Sequence, residues 1–309
     1  MPDRVINERA PQETAGTVSS GCGPSGRGPS GRGPSGFGGL PLRILPWPLL
    51  RGAGLGGRGS GRLIERHARV YRHTWGVLIS GFFEPLFYLL SIGIGIGHLV
   101  GTVTGPDGRP IGFASFVAPA LLATSAMNGA VMDSTFNVFF RMKYAKLYDS
   151  ALATPMRPDE IALGEVGWAL IRGGLYAVAF MVVMLAMGLV HSVWAIAAVP
   201  AALLIGFAFA GAGMAATTYM KSWQHFEFVT LATLPMFLFS TTFYPLSVYP
   251  RAVQIIVECT PLYQGVVLVR GLTLGAVGSA QLLAAVYLGV LGASGLWLAG
   301  RRIMALMLK

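Results

Sequence analysis

The stretch SVYPRAVQIIVECTPLYQGVVLVRGLTLG, Ser247–Gly275, decides how this chain folds. It is apolar enough to enter a membrane, yet it cannot cross one as a single helix. Pro250 and Pro261 divide it, and Arg251, Glu258 and Arg270 interrupt its apolar runs. Each piece has roughly ten residues, hence about 15 Å of helix, half of a hydrocarbon core about 30 Å thick. The stretch therefore reads as two short helices that dip into the outer leaflet or lie on it. Such backbone is tolerated at membrane depth only where protein or water covers it. Pro250, Glu258, Pro261, Tyr263 and Arg270 mark this reentrant segment.

Runs of ordinary spanning length lie on both sides. A bilayer-crossing helix needs about 20 mostly apolar residues. Six runs satisfy this: Val77–Val100, Phe113–Phe140, Val166–Leu189, Val193–Tyr219, Phe226–Tyr244 and Gln281–Gly300. The expected fold is thus all-α: a polytopic integral membrane protein of six transmembrane helices, with the reentrant pair between the fifth and sixth. Composition agrees. Of 309 residues 53% are hydrophobic and 12% charged, against about 25% charged in soluble domains. Mean hydropathy is +0.61.

The formal charge of +10 is unevenly placed. Eleven of the 23 Lys and Arg precede Gly76, outside every apolar run. That distribution suits a membrane surface and not a nucleic-acid groove. With the N-terminus inside, nineteen basic residues fall on the cytoplasmic side and two, Arg109 and Arg251, outside. The positive-inside rule then puts both termini in the cytoplasm of a multi-pass protein of the cell membrane.

Residues 1–60 read as a disordered Gly/Pro/Arg-rich cytoplasmic tail, and 61–309 as the membrane domain. The tail contains GPSGRGPSGRGPSGF from Gly23 to Phe37, with nothing apolar enough to bury. It has no apolar core of the kind a cleavable signal peptide needs. Gly61–Trp75 alternates Leu63, Ile64, Val70 and Tyr71 with Arg62, Arg66, Arg69 and Arg72, the pattern of a basic amphipathic helix at headgroup level.

Glu84, Asp133 and Arg172 each lie well inside a predicted span. Counting residues at about 1.5 Å each brings all three to about 10 Å from the inner boundary. An unpaired charge there costs on the order of 3 kcal/mol. A packed cluster with Arg172 between the two acids is therefore expected. It serves either as an ion pair that sets helix register or as a polar wall of an inward-facing cavity.

No Gly-rich P-loop is present, since none of the four lysines follows Gly. Cys22 and Cys259 offer neither a disulfide framework nor metal spacing. No nucleophile elbow of the G-x-S-x-G type appears. No catalytic, cofactor-binding or metal-ligating residue is read from this chain. A charged loop, YDSALATPMRPDEIALGE (Tyr148–Glu165), separates the second and third spans. Pro158 with Asp159 and Glu160 behind it is a good helix opening, with Pro early and acids in the first turn. By itself the loop is a solvated connector or a short rigid helix able to transmit a displacement.

Four blocks, GFFEPLFYLLSIGIGIG (Gly81–Gly97), Tyr148–Glu165, FLFSTTFYPLSVYP (Phe237–Pro250) and TPLYQGVVLVRGL (Thr260–Leu272), together resemble the permease subunits of type-2 ATP-binding-cassette (ABC) exporters. The likeness is to the nodulation-protein-J and daunorubicin-resistance branch, and runs from about Leu63 to Arg302. The resemblance implies six spans, an interface helix before the first and a reentrant pair before the last. It also implies two permease chains, as homodimer or heterodimer, working with separate P-loop ATPase subunits that hold ATP and Mg. The implied coupling loop comprises Tyr148, Pro155, Met156, Arg157, Pro158, Asp159 and Glu160. The implied cargo is amphiphilic: a drug, a lipid, a lipo-oligosaccharide or a glycolipid. Two other readings compete. An ion-coupled secondary transporter would use Glu84, Asp133 and Arg172 as a relay and carry an inverted repeat. A polytopic lipid-modifying enzyme would gather acids or His at one interface.

Overall fold

The computed structural model describes residues 58–71, 83–105, 108–152 and 158–307. Nearly all of them are helical. Helix α1 (Arg58–Tyr71) is followed by the apolar α2 (Phe83–Val100), whose middle, Leu89–Ile96, is wound as a π-helix. A hairpin of β1 (Thr102–Thr104) and β2 (Pro110–Gly112) pairs antiparallel, with Val103 opposite Ile111. Then come α3 (Phe113–Lys143), α4 (Leu147–Leu152), α5 (Pro158–Ala186) and α6 (Ala198–Thr217). The chain closes with α7 (Phe226–Phe239), α8 (Arg251–Glu258), α9 (Pro261–Leu274) and α10 (Ser279–Met307).

Five helices among the described residues are long and apolar enough to cross a bilayer: α2, α3, α5, α10, and α6 with its 3-10 lead from Val193. The all-α polytopic class holds, with the small hairpin as an unanticipated addition. Helices α8 and α9 bend by 82° at the Glu258–Pro261 junction, so the stretch is two short helices, as expected, and not one straight span. Pro261 opens α9 at its first turn, where a missing N–H costs nothing. Two side chains hold the corner. Gln264 Nε2 donates to the Glu258 carbonyl at 2.6 Å, and Tyr287 Oη, from α10, donates to the Cys259 carbonyl at 2.8 Å.

The expected fifth span is shorter than its apolar run. Helix α7 has 14 residues, about 21 Å of rise and less than a bilayer core. It ends because Thr241 adopts a left-handed φ of 59°, a conformation that breaks helical bonding. The third span, conversely, starts earlier than Val166. The Pro158 opening does not nucleate a separate short helix. It is the first turn of the 29-residue α5. Residues 1–57 of the expected tail, residues 72–82 and the loop residues Pro155, Met156 and Arg157 lie outside the described residues. The last three tail residues, 58–60, are not disordered but form the first turn of α1, where Ser60 is buried.

Helix α3 is central. Phe116 to Thr124 are all buried, and the core includes Leu121, Leu122 and Met127. Helix α6 crosses α10 so closely that a Cβ on Gly211 would overlap the Gly292 carbonyl oxygen. Small residues permit such an approach, and dispersion over the tight contact drives helix association where lipid is as apolar as protein. The opposite face of α10 exposes Leu282, Leu283, Val286 and Val290, as a lipid-facing surface would. A second π segment, Asp133–Asn137, lies in α3. It leaves the Ser134 carbonyl accepting from Thr217 Oγ1 at 3.0 Å, so that α6 satisfies backbone that the wider turn frees.

Candidate functional site: a buried carboxylate knot below a polar cleft

Two polar centres are stacked along one face of α5. The lower is built on Glu165. Its carboxylate is 5% exposed and accepts from residues on three other segments. Arg141, at the end of α3, forms an ion pair with Oε2. Tyr148 of α4 donates its hydroxyl to Oε1 at 3.1 Å. His67 of α1 brings Nε2 to 3.3 Å of the same oxygen. Burial and the adjacent carboxylate push the Tyr148 phenol well above its ordinary value, so it remains a donor. Helix α1 reaches this position because α5 presents small residues beneath it. A Cβ on Gly164 would come within 2.8 Å of Leu63 Cδ2. Leu63, Ile64 and His67 are buried, while Arg62, Arg66 and Arg69 stay exposed. The amphipathic expectation for this helix thus holds, with its apolar face spent on α5.

The link between the two centres is Trp168. Its ring centroid lies 5.8 Å from His67 and 5.2 Å from Tyr71. One turn further along α5, Arg172 donates to the Tyr71 hydroxyl at 3.1 Å and is ion-paired with Asp133. Asn137 Nδ2 also donates to Asp133 at 2.8 Å. Both members of the pair are largely buried. The expected three-charge cluster is therefore a pair. Glu84 is exposed and takes no part in it. Residue counting put the three charges at one depth but carried no information on which way each faces around its helix.

Arg172 and Glu84 nevertheless line the same cleft, of about 610 Å3. Its walls come from α1, α2, α3, α5 and α7, and mix Tyr88, Tyr176 and Phe237 with Asn128, Asn137, Thr230 and Thr233. That volume lies in the range of small-molecule sites, about 300–1,000 Å3. Phenol, amide and hydroxyl groups between apolar side chains suit a ligand with a polar head and an apolar body.

On the other side of the fold, Arg270 of α9 is a clamp. It is 7% exposed and, among the described residues, meets no carboxylate. Its guanidinium donates to the Thr241 carbonyl at 2.8 Å and the Phe116 carbonyl at 3.2 Å, and lies over the Phe116 ring. It thereby holds the left-handed turn that ends α7 against α3. Replacing Arg270 with Met should leave the buried Thr241 carbonyl without its donor and strip the second donor from the Phe116 carbonyl. The expected loss is about 3 kcal/mol, read as a lower unfolding midpoint in detergent. An unchanged midpoint would show that the clamp carries no stability. Pro250 precedes α8 as its cap residue, Glu258 ends that helix, and Tyr263 is half-buried in α9.

Of the expected coupling residues, Tyr148 is in the knot, Pro158 and Asp159 open α5, and Glu160 accepts from the Gly59 backbone N–H at 3.3 Å. From sequence, Glu165 is not singled out and His67 reads as a solvated polar-face residue; the structure corrects this, since His67 is buried against Glu165. The available signal was positional: Glu165 is the last charge before an apolar run, where an acid must find partners or neutralise.

Helices of spanning length, a sharply bent helix pair and a polar cleft between apolar walls define the class: a polytopic helical membrane protein with an internal site. Comparison with known proteins goes one step further. The profile of the family described as "ABC-2 type transporter" matches residues 61–274, and the chain belongs to that family. It is a membrane subunit of a transporter. Its relatives include proteins named Nodulation protein J. That of Rhizobium leguminosarum bv. trifolii is 32% identical over 199 residues, 64% of this chain and 74% of the relative. That of Sinorhizobium fredii is 33% identical over 194 residues, 62% of this chain and 72% of the relative. That of Rhizobium meliloti is 30% identical over 200 residues, 64% and 74% of the two chains.

Proposed function

We propose that this chain is the permease of an ABC exporter. Separate P-loop ATPase subunits bind ATP and Mg, and two permease chains complete the complex. The cargo is an amphiphile taken from the cytoplasm or the inner leaflet of the cell membrane, with both termini of this chain cytoplasmic. The observation that carries this reading is the Glu165 knot. It ties the interface helix α1, the end of α3, the loop helix α4 and the start of α5 through one buried carboxylate. A force applied to the loop by an ATPase therefore reaches α1 and α5 together. Those helices also supply Tyr71, Arg172 and Tyr176 to the cleft. Rigid-body tilting of packed helices is an ordinary way for closure at one end to open a site at the other.

The test is to purify the chain with the ATPase it is co-expressed with, and to place a photo-crosslinker at Met156 or Asp159. Crosslinks to the ATPase are expected at both positions, together with ATP-dependent movement of a labelled amphiphile in proteoliposomes. Stimulation of ATP hydrolysis only by small hydrophilic solutes would count against an amphiphilic cargo. Transport driven by an ion gradient without nucleotide would replace the exporter by a secondary transporter.

A further inference from the structure

The charges of the cleft do not cancel. Among the described residues, its two charged lining side chains are Glu84 and Arg172. Arg172 is already neutralised by Asp133, and its guanidinium lies 5.7 Å from the Tyr71 ring centroid and 5.9 Å from that of Tyr176. Glu84 has neither an ion-pair nor a hydrogen-bond partner among the described residues, and its side chain is exposed. The net field these residues set up inside the cleft is therefore negative. Keeping an uncompensated acid in a membrane segment is expensive, and the expense is offset when a ligand brings the opposite charge.

The surroundings of Glu84 sharpen the choice of ligand. Tyr88 lies four residues along α2, on the same helical face, and is 41% exposed. Across the cleft the Phe237 ring of α7 meets Tyr88 edge-on, with centroids 6.1 Å apart. An acid one helical turn from an aromatic pair in the same cleft can take an ammonium group, through charge-assisted hydrogen bonding and attraction to the ring faces. Leu121, Met132 and Leu234 line the same cleft and offer an apolar track for a chain attached to such a head. An anionic head would meet the opposite situation, with the one cation engaged and Glu84 repelling it.

We propose that Glu84 is a specificity-determining residue of the cleft, selecting amphiphiles that carry an ammonium group. Export of the bound amphiphile rests on the exporter reading; the selection itself does not. The experiment uses the full chain in nanodiscs of neutral lipid, without ATPase or nucleotide. Three dansyl-labelled probes of equal chain length, ending in an ammonium, an alcohol or a sulfonate, are titrated by fluorescence. The ammonium probe is expected to bind about tenfold tighter than the alcohol, the order of one good charged contact, and the sulfonate weakest. Glu84→Gln should bring the ammonium probe down to the level of the alcohol, and Glu84→Asp should restore the difference. Equal binding of ammonium and alcohol to the wild-type chain overturns the proposal, and so does a preference that survives in Glu84→Gln. A negative result leaves the exporter reading standing. Absence of ATP-driven transport with the binding preference intact does the reverse.

Discussion

Replacing Glu165 with Ala should uncouple ATP hydrolysis from transport and weaken the fold at the same time. The carboxylate is the common acceptor of Arg141, Tyr148 and His67. Its removal leaves three donors facing one another in a largely buried site. Breaking a buried charge pair by deleting one partner costs about 3–5 kcal/mol. The lower part of that range applies here, because the Arg141 side chain is 19% exposed and can recruit water. The functional effect is expected to be larger than the stability effect. Helix α1 contacts the rest of the fold mainly through α5, and the knot is its polar anchor there. Without it the loop can move while α1 stays behind. The measurements are the unfolding midpoint in detergent and the number of cargo molecules moved per ATP hydrolysed. Glu165→Gln is a graded control, since it retains an acceptor for Tyr148 but loses the charge for Arg141. If Glu165→Ala moves as much cargo per ATP as the wild type, the knot is not the connection between loop and spans.

The residues of that knot explain how far sequence reading reaches. Five of the six span positions were legible because apolar length against bilayer thickness is nearly a one-variable problem. The division of Ser247–Gly275 into two helices was legible for the same reason, since prolines and charges cut it below spanning length. Helix ends were not. Helix α5 runs out to Pro158 because Gly164 lets α1 pack against it, and α7 stops at Phe239 because Arg270 holds the Thr241 turn. Both causes are contacts between residues distant in the chain. The charge cluster was half legible. Depth is set by sequence position, so Asp133 and Arg172 were correctly brought level. Orientation is set by helix rotation, which counting does not carry, and Glu84 on α2 is turned away from the pair. The hairpin β1–β2 gave no clear signal in advance: three residues a side is too short for alternation to stand out.

The pair that was found allows its two roles to be separated. Arg172→Leu should destabilise the chain by about 3–5 kcal/mol, because Asp133 is then a buried acid with only the Asn137 amide as partner. The loss should appear as reduced yield of monodisperse protein and a lower unfolding midpoint. Removing the acid as well, in Arg172→Leu with Asp133→Leu, should recover most of the midpoint, since an apolar pair of similar volume often replaces a buried ion pair at no cost. Transport gives the second reading. Arg172 also holds the Tyr71 hydroxyl, and both line the cleft beside Tyr176. If the ion pair only fixes helix register, the double variant should transport as the wild type does. If it also shapes the cleft, the double variant should be stable yet transport poorly. The second outcome is expected, because Leu at position 172 would leave Tyr71 without its donor and enlarge the apolar part of the wall. A single variant as stable as the wild type would remove the premise of both readings, since it would mean that Asp133 needs no counter-charge where it lies.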